Sequence, residues 1–247
     1  MPLESPLSSI DEKAAELNAR YQNHAAISVL KHALTDPATG RCALVSSFGA
    51  ESVVLLHMVS LIDRNLPVLF IDTGMLFSET IAYQHDLARE LGLTGLKVIR
   101  PEPTVVFTRD AENLLHHYDP DACCALRKTE PLETALTGFS AWITGRKRYQ
   151  GGQRQALPFF ETDTATRIKI NPLAHWAPGD VAEYITNNRL RRHPLVAKGF
   201  ASIGCAPCTS AIKPDEDARA GRWRGAAKTE CGIHFGPGGV QRGAGTQ

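Results

Sequence analysis

"RCALVSSFGAESVVLLHMVSLID", residues 41–63, sets a short apolar run before a serine–phenylalanine–glycine turn and then a helix-length apolar segment. "RCALVSS" (41–47) has the length and density of a buried strand, and "AESVVLLHMVSLID" (50–63) has the length and spacing of a helix. Working outward, "PVLFIDTG" (67–74) reads as a second buried strand, followed by the helix "SETIAYQHDLARELG". "LKVIRP" (96–101) is a third strand and "SAWITGR" (140–146) a fourth. Strands alternating with helices of this length predict an α/β fold with a parallel sheet and helices on both faces. Residues 12–34 read as a helical arm, which gives three expected parts: an arm (1–36), an α/β domain (37–217) and a mobile Gly/Arg-rich tail (218–247).

The 27 basic and 26 acidic residues among 247 leave a net charge of +1, so no global field points to nucleic acid or a membrane surface. Any anion site must come from local clusters. The N-terminal stretch has no basic n-region and no apolar h-region, and no run reaches the ~20 apolar residues of a spanning helix. A cytoplasmic protein is expected, in which clustered cysteines bind metal or do chemistry more often than they pair.

In a parallel sheet, ligands sit at the carboxyl ends of the strands, so the informative loops follow Ser47, Asp72 and Thr144. The loop "SSFGAES" joins a strand to a helix and makes Ser46, Ser47, Phe48, Gly49, Glu51 and Ser52 a candidate cradle for a tetrahedral anion. It lacks the G-K-[ST] ending of a Walker A loop. "IDTG" adds Asp72, Thr73 and Gly74; the acid could hold ribose or adenine, or cap the next helix. Either loop alone could be an ordinary turn, whereas the two on adjacent strand ends favour a nucleotide.

Six cysteines sort into distinct groups. Cys42, in a strand, is expected to be a small buried hydrophobe. Cys123 and Cys124 are adjacent, a spacing at which pairing with each other is strained. Together with the C-x-x-C of Cys205 and Cys208 they could form a four-thiolate site for zinc or a [4Fe–4S] cluster. Adjacent ligands are awkward for one ion, and a cubane offers each thiolate its own iron, so the spacing leans to iron–sulfur. Cys231, in "KTECGIH", has Lys228 and His234 nearby as groups that could lower its pKa, which makes it a candidate nucleophile; the alternative is a stray surface thiol.

"SSFGAES", "IDTG", "CCALRKTEPL", "AWITGRKRYQ", "GCAPCT", "RAGRW" and "ECGIH" resemble, in order and spacing, the assimilatory adenylyl-sulfate reductases, which group with the phosphoadenylyl-sulfate reductases. The resemblance runs from about residue 40 to residue 235. It implies a Rossmann-type fold like that of the adenine nucleotide α-hydrolases. It places a [4Fe–4S] cluster on Cys123, Cys124, Cys205 and Cys208, and the nucleophile on Cys231. By the same resemblance, Lys128 lies between cluster and substrate, while Arg154, Arg219, Arg222 and His234 contact the anionic substrate. The chain departs from its relatives after "GRW", where "RGAAKTECGIH" is shorter and less aromatic.

The implied reaction is reduction of adenosine 5′-phosphosulfate to sulfite and AMP through an S-sulfonate on Cys231, resolved by a separate thioredoxin or glutaredoxin. Three other readings stand beside it. One is a reductase acting on the 3′-phosphorylated nucleotide, or on both. Another is an ATP-dependent ligase, which the absence of an "SGGxDS" loop disfavours, and the last is a zinc-stabilised nucleotide-binding regulatory protein. The sequence leaves a homo-oligomer open.

Overall fold

The computed structural model describes residues 9–151, 154–164, 166–225, 228, 230 and 232–234, without the side chains of Thr164 and His234. The four apolar runs form β1 (Cys42–Ser46), β2 (Val68–Ile71), β3 (Leu96–Ile99) and β4 (Ala141–Ile143), all parallel. Two further strands, β5 (Phe160–Thr164) and β6 (Arg167–Ile170), complete a sheet of order β3-β2-β1-β4-β6-β5. Strand β6 is parallel to β4, but β5 is antiparallel to β6, so the sheet is mostly rather than wholly parallel. The sequence reading missed this hairpin because charged residues interrupt it. Asp163, Arg167 and Lys169 are buried, which they tolerate by pairing: Asp163 accepts from Arg167 Nε (2.8 Å), Lys169 Nζ (3.1 Å) and Trp142 Nε1 (2.8 Å).

The side chains of the central strands alternate between two apolar clusters. Leu44, Val68, Phe70, Ala141 and Ile143 face one cluster, and Ala43, Leu69, Ile71 and Trp142 face the other. Both faces are therefore covered, as a parallel sheet requires. The expected helical arm is two helices, α1 (Ile10–Tyr21) and α2 (Ala26–Thr35). A Ser9–Glu12 capping box starts α1, and Asn18 closes a two-way bond with the backbone of Phe160 on the edge strand (2.7 and 3.0 Å). Leu17, Val29 and Leu30 join the larger cluster.

Helices α3 (Ser52–Ile62) and α4 (Ser78–Glu90) follow β1 and β2, and α5 (Pro103–Asp110) follows β3. After the short α6 (Leu115–Tyr118), the chain runs through α7 (Pro120–Cys124), a π-helical turn (Ala125–Thr129) and α8 (Glu130–Ala135). Asp119 caps α7 by accepting from the amides of Asp121 and Ala122, with Pro120 in the first turn. The wide turn falls directly after the paired cysteines, where such bulges often mark functional sites. Helix α9 (Pro178–Asn187) packs against α3. Among the described residues, no helix is long and apolar enough to cross a membrane.

His193, 1% exposed, ties α4 to the segment after α9. Its Nδ1 accepts from the Leu195 amide (3.1 Å), so Nε2 carries the proton and donates to Thr80 Oγ1 (3.0 Å). Burial pushes the imidazole down to about 4, against a weaker opposing pull from Glu79. Unfolded histidine titrates near 6.5. Between those values the unfolded chain binds more protons than the native one, so stability falls as the pH falls. Urea midpoints should drop between about pH 6.5 and 4, and His193→Asn should flatten that drop. Parallel pH profiles for the two proteins would show that His193 is not the source.

Candidate active site

The site is a cleft of about 230 Å³ at the carboxyl ends of β1, β2 and β4. Its floor is the turn into α3. Phe48 takes a left-handed backbone (φ 48°), unusual for a bulky residue, and drives its ring into the core against Phe70 (5.3 Å, edge-on). The Phe48 amide bonds Ser46 Oγ (3.2 Å) and the Gly49 amide bonds Ser52 Oγ (2.9 Å). This reversal aims the start of α3 at the cleft, the end of a helix that favours an anion.

Among the described residues, eight charged ones line the cleft: the bases Lys128, Arg146, Lys147, Arg154, Arg219 and Arg222, and the acids Glu51 and Glu230. Both acids are paired. Glu51 accepts from Lys147 Nζ (2.8 Å) and the Tyr149 hydroxyl (2.6 Å). Burial opposes its charge, but Lys147 and these bonds outweigh burial and hold the carboxyl below its usual range. Burial in turn lowers Lys147, and it lowers Arg146 to about 10 with help from neighbouring Arg154. Glu230 meets Arg154 in a two-pronged pair (2.6 and 2.7 Å), and Arg219 Nη2 lies 3.4 Å away. Arg222 stacks on Trp223 (4.4 Å to the ring centroid) and lies where a side chain on Gly204 would collide with its guanidinium. Its buried Nε has no hydrogen-bond partner among the described residues.

Beside the cleft lies a smaller hollow lined by Cys123, Cys124, Cys205 and Cys208, with His116, Arg127 and Lys128. Lys128 and Cys205 line both spaces. Burial pushes the Cys123 thiol up to about 11, and the neighbouring Cys205 adds to the rise. Cys208 is raised for the same two reasons, with Lys128 and Arg222 opposing. The buried His116 Nδ1 lacks a partner among the described residues. Among the described residues, no group of three His, Cys, Asp or Glu side chains is arranged to hold a metal ion. Behind the hollow, Arg127 is buried in a pair with Asp110 (2.7 Å), bonds Asn113 Oδ1 (2.7 Å) and donates to the Thr73 carbonyl (3.1 Å). The Thr73 hydroxyl lies 3.2 Å from Cys205 Sγ.

Of the residues expected from the sequence, the structure brings Ser46, Ser47, Gly49, Glu51, Ser52, Thr73, Lys128, Arg154, Arg219 and Arg222 to the cleft. Three stand elsewhere. The Phe48 side chain is in the core beneath the loop, and Gly74 supplies the turn (φ 72°). Asp72 accepts from the Gly74 amide (3.1 Å) and from Arg100 Nε (3.0 Å), so its carboxylate shapes the turn instead of facing the cleft. Cys231 and the His234 side chain lie outside the described residues. Lys228, expected near Cys231, pairs its ammonium with Asp121 on α7. The described start of the tail is tied down: the Trp223 amide bonds the Cys208 carbonyl (3.0 Å), and the Ser210 amide bonds the Gly221 carbonyl (2.8 Å). Cys42 is buried, as expected, and burial raises its thiol to about 12.

The sequence reading missed Arg146, Lys147, Tyr149 and Glu230. For the first three a signal existed, since they follow Thr144 at a strand end. For Glu230 there was none, because its role depends on a contact with Arg154 across 76 residues.

Residues 41–211 match the family model described as the phosphoadenosine phosphosulfate reductase domain. The chain belongs to this family. An adenosine 5′-phosphosulfate reductase from Chelativorans sp. (strain BNC1) is 52% identical over 224 residues, which is 90% of this chain and 91% of that protein. Among solved structures, a phosphoadenylyl-sulfate reductase from Candida auris, in a phosphate complex, superposes with a TM-score of 0.70 at 27% identity, over 85% of this chain and 100% of its own. The FMN adenylyltransferase of Candida glabrata, solved with FMN and the ATP analog AMPCPP, shares the fold alone (TM-score 0.55, 17% identity, 84% and 78% coverage). The expected α/β fold is thus shared with a reductase of this family.

Lys147→Met would leave the Glu51 carboxylate partly buried without its cation. A loss of about 1–3 kcal/mol is expected, visible as a thermal midpoint several degrees lower. Adding Glu51→Gln should recover part of it. Full additivity of the two losses in the double variant would show that the pair is not coupled.

Proposed function

We propose that this chain reduces adenosine 5′-phosphosulfate to sulfite and AMP, with Cys231 as nucleophile, as a step in sulfate assimilation toward cysteine. The observation that carries the reading is the shared wall: Lys128 and Cys205 line both an anion-suited nucleotide cleft and a four-cysteine hollow. The name carried by a relative at 52% identity supports the same substrate.

In this reading the Cys231 thiolate attacks the sulfur of the phosphosulfate. The S–O bond to AMP breaks, AMP leaves with the electron pair, and an S-sulfonate remains on Cys231. Because the leaving group is a phosphate, little acid catalysis is needed. The cleft must instead offset the repulsion between a thiolate and a doubly anionic substrate. Lys128, Arg154, Arg219, Arg222 and His234 are the bases we assign to that task, with the turn of Ser46, Ser47, Gly49, Glu51 and Ser52 and the neighbouring Thr73 shaping the nucleotide side. A thiolate of a separate thioredoxin or glutaredoxin then attacks Cys231 Sγ. The S–S bond breaks, sulfite leaves with its electrons, and the second thiol of the reductant resolves the mixed disulfide. We place the reaction in the cytoplasm, a reducing compartment suited to free thiols.

Cys123, Cys124, Cys205 and Cys208 are the residues that would hold a [4Fe–4S] cluster. Four thiols around one hollow, with Cys205 opposing the ionisation of Cys123 and Cys208, and a histidine nitrogen with no partner among the described residues suit a group placed among them. A cubane spreads its thiolates over four irons, so its ligands need not converge on one point as they would for zinc. When bound, the cluster would supply a fixed charge centre beside Lys128, in a structural and electrostatic role. The likeness to a phosphoadenylyl-sulfate reductase structure favours one second reading, use of the 3′-phosphorylated nucleotide. Turnover of the two nucleotides at equal concentration separates them.

Replacing Cys231 with Ser should abolish sulfite release and leave AMP binding within about twofold, measured by calorimetry. Full turnover by that variant would sink the assignment. Protein purified without oxygen should be brown and carry about four iron and four acid-labile sulfide per chain, whereas colourless protein holding zinc would refute the cluster.

A further inference from the structure

The two acids of the cleft are paired in different ways. Glu51 is held by Lys147 and Tyr149, residues of the loop after β4. Glu230 comes from the tail, immediately before Cys231, and reaches into the cleft to meet two guanidiniums. Arg154 donates to both of its oxygens, and Arg219 approaches Oε1. The side chains of Glu230 and Arg154 are each 8% exposed. Two guanidiniums converging on a two-oxygen anion is the arrangement by which proteins also hold phosphate or sulfate oxygens. Without a counter-ion, Arg154 would stand buried beside Arg146, at a considerable cost.

We propose that Glu230 is an internal stand-in for the anionic group of the nucleotide: its carboxylate occupies the Arg154–Arg219 position when the cleft is empty, and a phosphate-bearing nucleotide binds by exchange with it. The inference rests on the cleft being the nucleotide site. Exchange keeps the guanidiniums neutralised and oriented in both states, so binding needs no rearrangement of Arg154. It also sets a threshold. A singly charged anion gains little over the carboxylate it displaces, whereas a phosphate carrying more charge and more acceptor oxygens does. Because Glu230 adjoins Cys231 in the chain, the exchange releases an anchor of the nucleophile's own segment at the moment substrate arrives.

The test is AMP binding by the full chain, wild type against Glu230→Gln, at one ionic strength. Glutamine keeps the shape and removes the competing charge, so the AMP dissociation constant should fall about five- to tenfold. Glu230→Asp, too short to hold both contacts, should tighten AMP about two- to threefold and serves if the glutamine variant folds poorly. A merely structural role for Glu230 would lower the melting temperature without raising affinity. Unchanged or weaker AMP binding by a folded variant, with normal binding by wild type, overturns the inference alone. No AMP binding by either protein overturns it together with the nucleotide reading.

Discussion

Arg127 and Asp110 form a buried ion pair on which three separate pieces of the site hang. The guanidinium rises from the π-helical turn after the paired cysteines, and the carboxylate ends α5. The remaining donors of Arg127 take the Thr73 carbonyl at the end of β2 and the Asn113 side chain. Burial opposes the charge on Asp110, but the Leu115 amide and Arg127 outweigh it and keep the carboxyl below its usual range. Removing either partner of such a pair leaves an uncompensated buried charge, a loss of about 3–5 kcal/mol. The pair therefore fixes the cysteine helix relative to the strand ends. Thr73, held from behind, presents its hydroxyl to Cys205. The π turn makes this possible: it widens the helix where Arg127 must turn inward while Lys128, the next residue, lines the cleft.

What was legible in the sequence follows from the range over which each feature is encoded. Apolar runs declare parallel strands, so the buried β1, β2 and β4 and the half-buried edge strand β3 could be read directly. The β5–β6 hairpin could not, because three of its buried positions are Asp163, Arg167 and Lys169, whose burial makes sense only once they are paired with one another and with Trp142. The break between α1 and α2 falls in a stretch with no proline or glycine to announce it. At the site, the adjacent cysteines and the C-x-x-C were readable as a set. The inward turn of Phe48 and the diversion of Asp72 to Arg100 were not, since both depend on neighbours distant in sequence.

The charge pattern explains how a chain of nearly zero net charge makes an anion site. Among the described residues, six bases and two acids line one small space, and burial pushes down two of those cations, Lys147 and Arg146. Their charge reaches the cleft through a medium that screens it poorly. The acids do not cancel this field evenly. Glu51 neutralises Lys147 from within the cradle, while Glu230 neutralises Arg154 from a segment that comes in from the tail.

That segment touches both spaces of the site. The Trp223 amide bonds the Cys208 carbonyl, and Lys228 pairs with Asp121 in the first turn of the cysteine helix. Arg222 stacks on Trp223 while lining the cleft, and Glu230 reaches Arg154 on its far side. A tail fastened at Cys208, α7 and Arg154 is positioned by the cysteine hollow at one end and by the cleft's cations at the other. Whatever fills the hollow therefore bears on where Trp223 and Lys228, the described contacts of the tail with it, are held.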